Sequence, residues 1–145
     1  MKIGVVGKGK AATSLAPALE ELSFDVSWWW SRRDGSSPAD LPPVDVVLIA
    51  VSDRAITDIA AQLAERPSSR NEVWLHLSGF HAGSHCRVTP DIPRAAGCFH
   101  PLCALNGPEN IREQLKGCVA GIDGDSGAIE VAKVLAHALN MEGVQ

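Results

Sequence analysis

The chain opens MKIGVVGKGKAATSLAPALEEL, Met1 to Leu22, and this stretch constrains what the rest can become. Ile3, Val5 and Val6 form a β-branched run of buried-strand type. Gly7-Lys8-Gly9-Lys10-Ala11-Ala12 follows as G-x-G-x-x-A, and Leu15, Ala18, Leu19 and Leu22 then recur at helical spacing. Gly7 permits a tight turn out of the strand. Gly9, lacking a Cβ, lets the backbone approach a pyrophosphate, and Ala12 is the third small residue that lets the helix press on a sheet. The helix would aim its unpaired N–H groups and positive dipole end at the phosphates. Lys8 and Lys10 either add charge there or are simply solvated. The pattern predicts a dinucleotide-binding unit; the alternative is a glycine turn in an α/β protein that binds no nucleotide.

With 145 residues, 46% hydrophobic and 21% charged, the chain is sized for one globular domain over residues 1–145. A net charge of −4, with Arg32-Arg33 as the sole adjacent basic pair, argues against nucleic acid, since binding a phosphate backbone needs a clustered basic surface. There is no run of about 18 apolar residues, so no membrane partner is expected. The N-terminus enters a strand directly instead of a cleavable apolar segment, and the expected location is cytoplasmic. Cys86, Cys98, Cys103 and Cys118 form no C-x-x-C pair and read as reduced thiols. His81, His85, Cys86, Cys98, His100 and Cys103 crowd one region but lack the ligand spacings of zinc modules, so no metal is predicted.

Along the chain, Val26 to Trp30 reads as a second strand. Alternation puts Trp28 and Trp30 on one face and Trp29 on the other, which favours a core role over a base-stacking platform; Trp30 is the one near enough the strand's carboxyl end to touch an adenosine. Asp34 to Pro43 is a loop rich in breakers. Val44 to Val51 is near-continuously apolar, as a central parallel strand buried on both faces requires. A helix over Arg54–Glu65, with Ile56, Ile59, Ala60 and Leu63 facing inward, has Asp53 as a candidate cap. Strands over Glu72–Ser78 and Ala95–Phe99 follow, with a long loop over Phe80–Pro93. Then come a polar loop or short helix over Leu105–Lys116, a strand over Gly117–Ile122 and a helix over Ser126–Leu139. The order β-α-β, β-α-β, β, β-α predicts an α/β fold with a doubly wound, mostly parallel sheet in three layers, and ligands at the strands' carboxyl ends.

Four strand ends carry candidate chemistry. NAD-binding versions of this fold place an acidic residue at the end of the second strand, roughly 20 residues after the glycine turn. Here Ser31-Arg32-Arg33 stands there. A guanidinium can pair with the extra 2′-phosphate of NADP, so NADP is predicted, with two solvated arginines as the alternative. Ser52 and Asp53 would lie near the nicotinamide ribose, though Asp53 is equally explained as a helix cap. Ser78 and His100 are the candidate substrate contacts. A histidine exchanges protons with a carbonyl or hydroxyl near neutral pH, and a hydroxyl at the next strand end orients the same group. A histidine before proline in a turn can equally be a satisfied structural residue. His76 alternates inside a strand, and His81, His85 and His137 are expected on the surface.

With these residues assembled, the chain resembles the Rossmann-like NADP-binding oxidoreductases that carry a helical second domain of unknown function. These are relatives of prephenate dehydrogenase, pyrroline-5-carboxylate reductase and the deazaflavin-dependent NADP oxidoreductases. The resemblance runs through IGVVGKGKAATSLAPAL, Ser31-Arg32, LIAVSDRAITDIAAQLA at a V-P-D-x-x-I position, HLSG at 76–79 and HPL at 100–102. It implies that the backbone from Gly7 to Ala12 holds the pyrophosphate, Ser31 and Arg32 the 2′-phosphate, and Val51 to Asp53 the nicotinamide side. It further implies that His100 and Ser78 meet a small-molecule substrate. Ser52 departs from the family's proline, Ala12 from its third glycine, and Cys103-Ala104-Leu105 from an aromatic run.

In such relatives another strand and then the helical domain begin about where Met141 to Gln145 stand, and that domain completes the substrate pocket and the dimer. The resemblance therefore leaves two alternatives, a fragment or a natural short form, and two functions. One is hydride transfer to or from a small carbonyl or imine; the other is a catalytically silent NADP-binding or sensing module. Apolar surface around Leu102, Leu105, Val144 and the final helix would then be uncovered, predicting a homodimer or a separate helical partner.

Overall fold

The computed structural model describes residues 1–145 apart from the side chain of Trp28, which lies outside the described residues together with the face assigned to it above. Seven strands form one sheet in the order β2-β1-β3-β4-β5-β6-β7. They are β1 (Lys2–Val6), β2 (Asp25–Trp30), β3 (Val46–Ile49), β4 (Val73–His76), β5 (Ala95–Pro101), β6 (Val119–Gly124) and β7 (Glu142–Val144). The helices are α1 (Lys10–Glu21), α2 (Ile56–Leu63), α3 (Ile111–Leu115) and α4 (Ser126–Ala138). No helix is long and apolar enough to cross a membrane among the described residues.

Strand alternation builds two cores. Ile3, Val5, Val46, Leu48, Val73 and Leu75 face α1 and α4, meeting Leu15 and Leu19 from the first helix and Ala132 and Leu135 from the last. Val6, Val47, Ile49 and Trp74 face the opposite side, where Ile56, Ile59, Ala60 and Leu63 of α2 cover them. A strand covered on both faces has no polar side to show, which is why β3 is buried at every residue. Trp29 and Trp30 obey the same alternation. Trp29 packs on the α1 side and Trp30 is buried on the α2 side. Here β2 is an edge strand, with no second neighbour to sandwich it.

The first five strands run parallel, but β5 and β6 pair antiparallel, with Phe99 opposite Ile122 and Pro101 opposite Ala120. β7 then pairs parallel to β6. The chain steps from β1 outward to β2 and back across to β3, so the winding direction reverses between β1 and β3, and a crevice opens there at the carboxyl ends. Predicted spans and one predicted cap shift in the structure. The Arg54–Glu65 segment begins as a 3₁₀ turn over Asp53–Ala55 and turns α-helical only at Ile56. Asp53 does not cap it, because Ser52 occupies the cap position and no side chain bonds the first turn. β5 runs on through His100 and Pro101, beyond the Phe99 expected from sequence, because β6 continues to pair with it.

Candidate functional site: a cleft at the switch point and a histidine-lined hollow

At the switch point the glycine turn is held from both sides. Gly7 donates its N–H to Trp30 O (2.6 Å), and Gly7 O accepts the indole N–H of Trp29 (2.5 Å). Gly7 adopts φ +120°, and a Cβ there would drive into the backbone carbonyl of Ala50 at the end of β3. Only glycine fits. At Gly9, by contrast, a Cβ would meet nothing within 4 Å. Gly9 caps α1, whose first helical bond is Thr13 N–H to Gly9 O (2.9 Å), so the preceding N–H groups point outward. Ala12 is 1% exposed and packs in the α1 core, which leaves room for nothing larger.

These elements enclose a cleft of about 550 Å³ lined by Gly7, Lys8 and Gly9 on one side and Ser31, Arg32 and Arg33 on the other. Trp30, Val51, Ser52 and Ile59 form its floor and back. The cleft thus gathers eight of the twelve residues predicted for a cofactor. Lys10 and Ala11 stand in the first turn of α1 and Ala12 is buried behind it, outside the cleft lining. Asp53 turns into a neighbouring hollow of about 440 Å³ with Arg54, Thr57, Phe80, His81 and His85. Neither Arg32 nor Arg33 enters an ion pair among the described residues, so both guanidinium groups stand free at the mouth.

One cleft residue escaped the sequence reading. A carboxylate does stand near the end of β2, one residue beyond Arg33. Asp34 accepts from Ser31 N–H (2.8 Å) and Ser31 Oγ (3.3 Å), and from Lys8 Nζ at 3.1 Å to each oxygen. The Ser31 backbone N–H first, then Lys8, hold its carboxyl below the usual range. The expectation that no carboxylate stands at this strand end is thereby corrected, though both oxygens of Asp34 are engaged by Ser31 and Lys8. The Ser31-x-x-Asp34 spacing, a capping box, was the available signal.

Ser78 and His100 come together at a second place, a hollow of about 290 Å³ shared with Cys98, Leu102, Asp123 and Val144. His100 Nδ1 lies 2.9 Å from Leu77 O. A carbonyl only accepts, so Nδ1 carries the proton and Nε2 is left to bond outward. The ring lies against Gly79, where any Cβ would collide with it. Ser78, 7% exposed, accepts Phe80 N–H at its hydroxyl oxygen (3.1 Å), leaving the O–H proton to donate.

His137 is exposed, as expected, but His81 and His85 are half-buried. His81 and His85 stack face to face, with centroids 3.7 Å apart, and His85 meets His76 edge-on at 6.4 Å. His76 is fully buried. One of its ring nitrogens, Nε2, donates to Ala82 O (2.9 Å), while Nδ1 has no partner. Burial, then repulsion from His85 and His81, pushes its pKa down, and burial and His81 do the same for His85. No group of three or more His, Cys, Asp or Glu side chains among the described residues could hold a metal ion.

Comparison with known proteins fits this geometry. No known family model matches the chain. A glycerol-3-phosphate dehydrogenase [NAD(P)+] from Synechococcus elongatus is 25% identical over 116 residues, covering 80% of this chain and 38% of that protein. A solved structure from Bacteroides fragilis, described as an NADP oxidoreductase, superposes with a TM-score of 0.81 at 19% identity, covering 98% of this chain and 58% of that one. A pyrroline carboxylate reductase from Plasmodium falciparum, solved with NADP bound, gives 0.72 at 12% identity, covering all of this chain and 58% of that one. The fold is therefore Rossmann-like, as in these oxidoreductases. The chain spans between about two fifths and three fifths of the length of these matches.

Proposed function

We propose that the chain is the NADP(H)-binding unit of a cytoplasmic oxidoreductase that moves a hydride to or from a small carbonyl or imine. The observation that carries this is the 550 Å³ cleft, which joins a glycine turn and open helix N-terminus to two unpaired arginines across the switch point. The residues fit the group. Gly9 leaves space beside outward N–H groups for a pyrophosphate, and Ser31, Arg32 and Arg33 offer donors to a 2′-phosphate. When bound, the dinucleotide supplies the hydride. His100 handles the proton. As imidazolium it donates Nδ1–H to Leu77 O and Nε2–H to the substrate's oxygen or nitrogen; in the reverse direction neutral Nε2 takes that proton back. Ser78, with its free O–H, orients the same atom. Under this reading the exposed Leu102 and Val144 are where a second copy or a helical partner packs.

Calorimetry should find NADPH bound more tightly than NADH by roughly tenfold to a hundredfold, the range of charge-assisted contacts worth about 1.5–3 kcal/mol. Arg32→Ala should erase most of that difference, and equal affinities would sink the assignment. NADPH oxidation against a panel of keto acids and imines, abolished in His100→Ala, would support turnover. A silent NADP-binding module is the second reading, favoured by the hollow at His100, whose 290 Å³ falls just below the range of about 300–1,000 Å³ for small-molecule sites. Tight NADPH binding with no turnover on the panel would select it. No NADPH-dependent thermal shift would reject both.

A further inference from the structure

The sheet's one antiparallel ladder aligns two cysteines that the nucleotide and substrate sites do not use. Register in β5 and β6 pairs His100 with Gly121 and Pro101 with Ala120, and Leu102 N–H continues it by donating to Val119 O (2.8 Å). One step further, Cys103 stands opposite Cys118. The hydrogen-bonded site is Leu102–Val119, which makes the cysteine pair a non-hydrogen-bonded site, where facing Cα atoms are closest, about 4.5 Å apart. Cys118 fits that role: its own N–H goes to Leu115 O (2.9 Å) and its carbonyl to Glu142 N–H (2.8 Å), so neither backbone group points at Cys103. Non-hydrogen-bonded cross-strand pairs hold Cβ atoms near the spacing a disulfide requires.

Accessibility separates this pair from the other two cysteines. Cys103 and Cys118 are both half-buried, whereas Cys86 and Cys98 are 0% and 5% exposed. Burial keeps a soluble disulfide from reaching Cys86 and Cys98, and it also pushes the Cys86 thiol up to about 12 and the Cys98 thiol up to about 11. Burial also raises Cys103, to about 11, and the Cys118 thiol beside it adds to the rise. The two sulfurs are therefore neighbours as well as register partners.

We propose that Cys103 and Cys118 are a thiol modification site, a dithiol that closes reversibly into a cross-strand disulfide by exchange with a low-molecular-weight disulfide. In the first step the thiolate of one cysteine attacks oxidised glutathione, forming a mixed disulfide and expelling one glutathione thiolate. In the second, the other cysteine loses its proton and attacks the mixed disulfide, expelling the second glutathione. The two cysteines are oxidised and one oxidised glutathione is reduced to two thiols. The bond would pin the segment that leaves β5 just past His100, Pro101 and Leu102, one wall of the histidine-lined hollow.

The test equilibrates the purified chain in glutathione buffers of rising oxidised fraction, alkylates it, digests it without reductant and maps the peptides by mass spectrometry. The expected product is one peptide pair joined through Cys103 and Cys118, with two of the four thiols lost to titration and Cys86 and Cys98 still free after denaturation. Dithiothreitol should restore all four. In Cys118→Ser the remaining Cys103 has no internal partner, so it should collect glutathione as an adduct instead. Closing a loop of about 15 residues in unstrained geometry should raise the melting temperature by roughly 5–10 °C. Separate glutathione adducts on both cysteines of the unsubstituted chain, a bridge between any other pair, or a linked form that melts below the reduced one would each overturn the proposal.

Discussion

The cleft depends on single residues whose substitution has a sharp expected cost, and Gly7 is the clearest. Its φ of +120° is a conformation L side chains rarely adopt, and a Cβ would strike the Ala50 carbonyl. Strain of this kind costs on the order of 1–3 kcal/mol before the collision is counted. Gly7→Ala should therefore lose at least about 2 kcal/mol in urea unfolding. It should also abolish the NADPH-dependent thermal shift, because relief requires β1 and β3 to part at the cleft. An unchanged unfolding midpoint would mean the turn is not held as described. Gly7 was legible in the sequence because the constraint is local: a turn between a strand and a helix needs that residue there. At Asp34 the capping-box spacing is equally local, a serine three residues before an acid, but its place in the cleft depends on the reach of Lys8 from 26 residues away, which no local pattern records. The Arg66–Glu72 pair was not legible at all. Arg66 binds Glu72 through two nitrogens (3.0 and 2.5 Å) and also reaches Leu41 O (3.1 Å), and Trp74 Nε1 donates to Glu72 (3.0 Å), all inside the molecule. Charged residues flanking a strand read as solvent-facing; only the packing of Leu41, Leu63 and Trp74 around them makes them interior.

At the scale of elements, strand type followed from local pattern and strand direction did not. β1, β3 and β4 showed themselves as apolar runs, and α2 placed Ile56, Ile59, Ala60 and Leu63 inward as its spacing required. The connection from Pro101 to Val119 is long enough for a parallel crossover, yet α3 within it is only five residues, too short to carry the chain back along the sheet. β6 therefore returns antiparallel, which no periodicity in its own residues records. The Phe80–Pro93 loop hides its contacts for the same reason, since its two histidines meet β4 only through the path of the fold. That meeting has a consequence for pH. The buried ring of His76 and the stacked ring of His85 have pKa values below their ordinary 6.5, so the unfolded chain takes up protons first as pH falls. Their contribution is fully present above about 6.5 and is lost progressively below it. Melting temperatures should fall as pH drops below that value, and His76→Gln, which keeps a donor for Ala82 O, should flatten the fall. A pH profile with the same slope in that variant would remove His76 from the account.

For the molecule as a whole, the strand order leaves two edges, and they are finished differently. The carboxyl end of β2 is tied down by side-chain bonds and by the turns that follow it. Trp29 Nε1 is tied to Gly7 O and Trp30 Nε1 to Ser36 O (2.9 Å), and the turns after Ser31 and Ser37 fold back with their capping boxes. β7 has no such cover: Glu142, Gly143 and Val144 are all exposed, and among the described residues the strand pairs with β6 alone. Val144 is 46% exposed and Leu102, across the hollow, 59%. An open edge beside apolar side chains is a template for another strand, and a second copy of the chain presents the same short segment for antiparallel pairing. A three-residue edge buries little surface, well short of the ~1,200 Å² of a standard stable interface, so the association should be weak and concentration-dependent. Light scattering should show an average mass that climbs above one chain as concentration rises. Val144→Lys, which sets a charge on the pairing edge outside the nucleotide cleft, should hold the mass at one chain while leaving NADPH affinity unchanged. A monomer at every concentration before substitution would show that β7 and the final helix already close the sheet.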